Sequence, residues 1–118
     1  MYKRQVGEIA SGAEFYDYDD KYKNGAAKLF IPAHIPEETA EEVRENAMRA
    51  YRMLGCSGLA RVDFFIRKSD GAVLLNELNT LPGFTSISMY PKLWEASGLS
   101  YPDLLDRLIQ LAFEKVYF

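Results

Sequence analysis

Four residues on two neighbouring segments carry the clearest chemical potential in this chain: Arg61 and Asp63 on one, Glu77 and Asn79 on the next. Segments 59–67 and 72–79 read as strands, and Lys68-Ser69-Asp70-Gly71 between them has the composition of a hairpin turn. Side chains alternate along a strand, so Ala60, Val62, Phe64 and Ile66 share a face expected to be core, and Leu59, Arg61, Asp63 and Phe65 share the other. On the second strand Leu74, Asn76 and Leu78 point one way, and Val73, Leu75, Glu77 and Asn79 the other. With Ser69, Asp70 and Gly71 as a three-residue loop, Asp63 faces Glu77 and Arg61 faces Asn79.

Like charges directly opposed on neighbouring strands, with Cβ atoms about 5 Å apart, destabilise a sheet. Two kinds of compensation are open. Arg61 can neutralise the pair, which makes the face a solvated ion-pair network. Alternatively, a hard divalent cation can sit among carboxylate and amide oxygens, the ligands that Mg²⁺ accepts while it keeps several waters and substrate phosphates. Arg61 would then serve anionic substrate oxygens.

The segment that follows favours an anionic ligand. Pro82-Gly83 and the hydroxyls of Thr80, Thr85, Ser86 and Ser88 can bring N–H and O–H donors close to an anion beside the cation. A glycine there also lets backbone approach an oxyanion without a Cβ in the way.

Several further elements must position these groups. Short strands are expected at 5–9, closed by Ser11-Gly12, and at 29–31, stopped by Pro32. Between them, 13–24 carries Tyr16, Tyr18 and Tyr22 among charges with no regular period, which reads as a loop that covers something. A capping box of Thr39 and Glu42 opens a helix whose apolar side is Val43, Ala47, Ala50, Tyr51 and Leu54, and Gly55 ends it. The charges on its other side read as a solvated face.

Two helices follow the loop, one over 91–97 and one opened by Tyr101-Pro102-Asp103. The stripe Leu104, Leu105, Leu108, Ile109, Ala112 and Phe113 of the second is expected to pack as core, as is Trp94. His34 reads as a loop residue and Cys56 as a buried structural thiol.

The chain has 118 residues, 48% hydrophobic and 26% charged, which suits one small folded domain with a modest core. A net charge of −3 with no basic block argues against a nucleic-acid partner. A single cysteine leaves no disulfide and no zinc-ligand spacing, and fits a reducing cytosol. No signal-peptide pattern and no run of membrane-spanning length is present, so a soluble cytoplasmic protein is expected.

The strings LARVDFF and LLNELNTLPGFTSISMYP resemble the C-terminal part of the ATP-grasp domain of D-alanine-D-alanine ligases. Glu77-Leu78-Asn79 matches the metal-binding Glu-x-Asn of ATP-grasp enzymes in general, and the Asn-Thr-x-Pro-Gly-x-Thr-x-x-Ser continuation is particular to this family. EFYDYDDKY resembles its omega loop, which closes over nucleotide and acceptor.

The resemblance implies an α+β fold, an antiparallel sheet with a central hairpin packed by helices. It divides the chain into an omega loop at about 12–28, a metal-binding hairpin at 58–79, an acceptor loop at 80–90 and C-terminal helices at 91–115. The family's N-terminal and central domains have no counterpart here, and nothing before residue 13 resembles the glycine-rich loop that grips ATP. The chain alone is therefore expected to be inactive and, with apolar surface uncovered, to self-associate.

By the same resemblance, Asp63, Glu77 and Asn79 bind two Mg²⁺ ions, or Mn²⁺, with Glu77 bridging and Asn79 on the second ion. Arg61 stabilises charge on the transferred phosphate and the tetrahedral intermediate. Gly83 offers its N–H to the oxyanion, and Ser88 with the backbone of Met89 holds the acceptor carboxylate. Lys21 reaches the terminal phosphate, and Tyr22 helps position the closed lid. The substrates implied are ATP and D-alanine, with a D-amino acid favoured over D-lactate as acceptor because of Tyr22. The omega loop is expected to order only around nucleotide. Two other readings are a non-catalytic binding domain that keeps the ligase shape, and another ATP-grasp carboxylate-amine ligase.

Overall fold

Alternating apolar residues on either side of a Gly-containing turn form the hairpin that the sequence suggests. In a computed structural model, which describes residues 5–10 and 28–114, it consists of β3 (Arg61–Ile66) and β4 (Val73–Asn79). Before it come β1 (Glu8–Ala10), β2 (Lys28–Phe30) and α1 (Glu37–Met53); after it come α2 (Met89–Ala96) and α3 (Tyr101–Glu114). The described strands make two antiparallel pairs, β1 with β2 and β3 with β4. The architecture is α+β, with the hairpin flanked by helices. The aromatic loop expected over 12–28, including Lys21 and Tyr22, lies outside the described residues apart from Lys28.

The β1–β2 pair sets Glu8 opposite Phe30 and Ala10 opposite Lys28. It is continued by the Ala33 N–H donating to the Val6 carbonyl at 2.7 Å and the His34 N–H donating to Glu8 Oε1 at 3.0 Å. His34 is an exposed loop residue, as expected, with its ring 4.4 Å from that of Phe30.

Helix α1 begins earlier than the Thr39–Glu42 capping box predicts. Pro36 occupies the N-cap, no side chain caps the helix, and Thr39 is already a helical residue. Proline disfavours helical backbone in the residue before it, so the helix extends back to Pro36 and stops there. Glu37 and Glu38 in the first turn face the positive end of the helix dipole. At the other end Gly55 adopts φ +66°, its N–H donates to Arg52 and the Cys56 N–H donates to Tyr51, a Schellman closure. Cys56 is half-buried rather than fully buried.

The core lies where α2 meets α3. Tyr90, Leu99 and Leu104 are buried together, with Leu59, Phe84, Trp94 and Leu108 packed around them. Two expectations about the core are corrected here. Val62, Phe64 and Ile66 are half-buried, so the hairpin flanks the core instead of forming it. On α3 only Leu104 is buried, while Leu105, Ile109 and Phe113 stand exposed, Phe113 at 87%. The helix packs on α2 through one edge of its stripe, and among the described residues no element covers the rest.

The turn also differs from expectation. The Arg67 N–H donates to the Ala72 carbonyl at 2.9 Å, so the loop is the four residues Lys68 to Gly71. From there the register runs Ile66 to Val73, Phe65 to Leu74 and Phe64 to Leu75, and then jumps to Asp63 opposite Glu77. Asn76 is the extra residue of a β-bulge. One residue more in the turn and one more in β4 cancel, and the two acids face each other as the sequence analysis expected.

Asp70 ties the turn together. It accepts from Arg67 Nε and Nη2 at 2.9 and 2.7 Å and from the Ala72 N–H at 3.1 Å. The bonds from Arg67, and then the one from Ala72, hold its carboxyl below the usual carboxylate range. A carboxylate depressed by folding adds stability above its unfolded midpoint and loses it as pH falls through the folded one. Acidification below about pH 4 should therefore loosen this turn, and Asp70→Asn should remove that step. Amide exchange at Ala72, followed against pH, measures it.

Candidate functional site

Arg61 and Asp63 are two apart on β3 and therefore on one face, and the guanidinium grips the carboxylate as a fork. Nε lies 2.9 Å from Oδ1 and Nη2 lies 3.0 Å from Oδ2. Across the hairpin Glu77 brings Oε1 to 3.9 Å from the same Nη2. One cation thus spans the two opposed acids. With side-chain exposures of 24% for Arg61, 30% for Asp63 and 60% for Glu77, water screens much of this attraction.

Asn79 ends β4 and turns the chain. Its Oδ1 accepts the Leu81 N–H at 3.0 Å, an Asx-type bend that carries the backbone from the strand into the loop. The loop then closes on itself through hydroxyls. The Thr85 N–H donates to Ser88 Oγ at 2.9 Å, the two side-chain oxygens lie 2.8 Å apart, and the Ser88 N–H donates to the Thr85 carbonyl at 3.1 Å. Gly83 passes so close that a Cβ there would lie 2.9 Å from Ser88 Oγ.

The core anchors this loop. Tyr101 donates its hydroxyl to the Phe84 carbonyl at 2.8 Å, and the Phe84 ring packs edge-on against Tyr101 and tilted against Tyr90. Burial pushes the Tyr90 phenol up. Ser88 is the N-cap of α2, but its hydroxyl turns back to Thr85 and caps no helical N–H. The leading N–H groups of α2, which have no partner within the helix, thus lack a hydroxyl cap at a site suited to an anion.

These pieces surround a cavity of about 1210 Å³. Arg61, Asp63, Glu77, Asn79, Gly83, Ser88 and Met89 all line it. Every described residue that the sequence analysis selected for the site therefore borders this cavity; Lys21 and Tyr22 lie outside the described residues. The walls also carry residues that the sequence analysis did not select: Asn76, Tyr51 and Tyr90. Trp94, expected only as core, packs on the core and lines the cavity as well. The signal for Asn76 was hidden by the bulge, and an aromatic at helical spacing is most simply read as core.

Among the described residues no three His, Cys, Asp or Glu side chains gather, and neither Cys56 nor His34 lines the cavity. The donors present are two carboxylates and a carboxamide, all hard oxygens. That set suits Mg²⁺ or Mn²⁺ with water completing the shell.

Residues 2–110 match the family model described as D-ala D-ala ligase C-terminus. The chain is 63% identical over 108 residues to the D-alanine–D-alanine ligase of Chlorobium chlorochromatii, covering 92% of this chain and 30% of that protein. The corresponding ligase of Acetivibrio thermocellus is 59% identical over 110 residues, with 93% and 29% covered. Among solved structures, the Bacillus anthracis ligase complexed with ATP superposes with a TM-score of 0.72 at 33% identity, covering 90% of this chain and 32% of that one. The Coxiella burnetii ligase gives 0.68 at 46% identity, covering 77% and 29%. The chain spans about 30% of the length of the curated relatives it matches.

The Gly83–Ser88 contact makes its own prediction. Gly83→Ala should destabilise the chain by about 1–3 kcal/mol, since the serine is tied to Thr85 and cannot simply turn away. In a Ser88→Ala background the same change should cost measurably less. Urea unfolding of the four variants closes the cycle.

Proposed function

Because the chain belongs to the D-ala D-ala ligase C-terminus family, we propose that it supplies the metal, phosphate and acceptor side of an ATP-dependent ligase that joins two D-alanines into the dipeptide used for peptidoglycan. The observation that carries this is the gathering of Arg61, Asp63, Glu77, Asn79, Gly83, Ser88 and Met89 around one cavity. In this reaction the carboxylate of the first D-alanine attacks the terminal phosphorus of ATP. An O–P bond forms as the bond to ADP breaks, leaving an acyl phosphate. The amine of the second D-alanine then attacks the acyl carbon, a C–N bond forms, inorganic phosphate leaves and the amine gives up a proton.

Each residue has a part that follows from its chemistry. Asp63, Glu77 and Asn79 would hold magnesium or manganese ions, which supply positive charge to phosphate oxygens as phosphoryl transfer requires. Arg61, freed from Asp63 when a cation takes over the acids, is a planar donor suited to the transferred phosphate and to the charge of the tetrahedral intermediate. The Gly83 N–H serves the oxyanion. Ser88 and the backbone at Met89, at the head of α2, bind the acceptor carboxylate.

Lys21 at the terminal phosphate and Tyr22 in the lid are assigned by resemblance alone, and with them a D-amino acid acceptor. The division into omega loop (12–28), hairpin (58–79), acceptor loop (80–90) and helices (91–115) belongs to the same reading. No helix among the described residues is long and apolar enough to cross a membrane, and dependence on ATP suits a cytoplasmic setting. By itself the 118-residue chain should turn over no substrate, because catalysis needs both substrates positioned.

One observation favours a second reading. The fork of Arg61 on Asp63, with Glu77 close by, is what a non-catalytic domain with a solvated ion-pair face would also show.

Titration of the chain with Mn²⁺ and a non-hydrolysable ATP analogue separates the two. Paramagnetic broadening should be strongest at the amides of Asp63, Glu77 and Asn79. Absence of broadening there, with signals elsewhere affected, would remove the ligase assignment of the hairpin.

A separate expectation concerns association. With Leu105, Ile109 and Phe113 exposed on α3, the isolated chain should self-associate at high concentration. Light scattering after size exclusion measures it, and a concentration-independent monomer mass would contradict it.

A further inference from the structure

A regular ladder through the Asp63–Glu77 pair would set Asn76 opposite Phe64 and turn its side chain to the face away from Glu77. The register is different. Phe64 pairs with Leu75, and Asn76 stands opposite no residue of β3. The insertion rotates the strand locally. Leu75 takes the place across from Phe64, while Asn76 lines the same cavity as Glu77 and Asn79, which Leu75 and Leu78 do not line. Asn76 is exposed, and its carboxamide makes no hydrogen bond to another described residue.

We propose that Asn76 is a positioning residue of the metal site, its carboxamide hydrogen-bonding a water carried by the divalent cation that Asp63, Glu77 and Asn79 hold. The inference rests on the metal-binding reading of the hairpin given above. A magnesium-like cation bound by one or two carboxylates keeps several waters, and those waters are strong donors that need oriented acceptors. Asn76 offers a carbonyl oxygen for such a water, and its amino group is left to donate to an anionic oxygen. An amide also suits the cation-free state. A third carboxylate would add repulsion beside Asp63 and Glu77, which share Arg61 as it is.

The bulge therefore has two effects. It restores the opposition of the acids after a four-residue turn, and it frees a neutral polar group next to Glu77 from strict strand alternation, at the wall of the same cavity. Replacing such a supporting group around a metal typically costs 10–100-fold in metal affinity.

The test uses the 118-residue chain with Mn²⁺ alone as the probe. Free Mn²⁺ is followed by electron paramagnetic resonance, and the side-chain NH₂ signals of Asn76 and Asn79 by NMR. Asn76→Ala should weaken Mn²⁺ binding about tenfold or more while leaving the urea midpoint and the cross-strand signals between Asp63 and Glu77 unchanged. Asn76→Asp, which keeps an oxygen acceptor, should restore binding. A role limited to shaping the bulge would instead shift the urea midpoint or the Asp63–Glu77 cross-strand signals together with affinity, and would leave the Asn76 NH₂ signals of the parent chain unmoved by Mn²⁺. The proposal is overturned if Asn76→Ala binds Mn²⁺ like the parent chain while Glu77 and Asn79 still respond. If no hairpin signal responds in the parent chain, the metal reading falls and this inference with it.

Discussion

Two carboxylates held across a hairpin need a positive charge between them, and the polar face of this domain is arranged around that need. Asp63 and Glu77 are opposed by strand register, and Arg61 reaches both, gripping the first as a fork and approaching the second to 3.9 Å. A guanidinium in this position and a divalent cation are alternatives for the same electrostatic role. All three groups are partly exposed and their mutual attraction is screened by water.

The register itself depends on two irregularities. A four-residue turn, tied by Asp70 to Arg67 and Ala72, would by itself set Asn76 against Asp63. The bulge moves the strand on by one residue and brings Glu77 there instead. Asn79 then bends the chain away through its bond to the Leu81 N–H, and Thr85 and Ser88 lock the loop that brings Gly83 and the head of α2 to the cavity. Phe84, Tyr90 and Tyr101 fasten this loop to the core. Core packing at the α2–α3 junction thus reaches the site through this loop and through Tyr90 and Trp94, which line the cavity directly.

The chain is the C-terminal part of an ATP-grasp domain, and its surface shows how much such a part leaves uncovered. Phe65 at 62% exposure and Phe113 at 87% are large apolar groups in water, and most of α3's stripe has no cover among the described residues. Among the described residues the buried set is small, with no large side chain fully enclosed; it lies on α1 (Ala40, Val43) and at the α2–α3 junction (Met89, Tyr90, Leu99, Leu104), and the hairpin that carries the acids is comparatively open.

Residue types and short-range spacing were enough to place the hairpin, the opposition of Asp63 and Glu77 and the end of α1 at Gly55, and the resemblance to the ligase family completed the seven selected residues that line the cavity, adding Met89. Those features rest on strand alternation, turn composition and motif, all local in the chain. Other features were decided by a competing local signal or by contacts between distant segments. A capping box at Thr39 was plausible locally, but Pro36 set the start of the helix. The stripe on α3 has the period of a core helix, yet whether it is covered depends on what other elements pack there, and here only Leu104 and Leu108 meet the core. The extra residue in the turn and the bulge at Asn76 cancel, so a register counted along the sequence from a three-residue turn still brings the acids together. Only the tertiary structure decided that Asn76 lines their cavity, because a bulge is a balance between two strands and leaves no mark in either one.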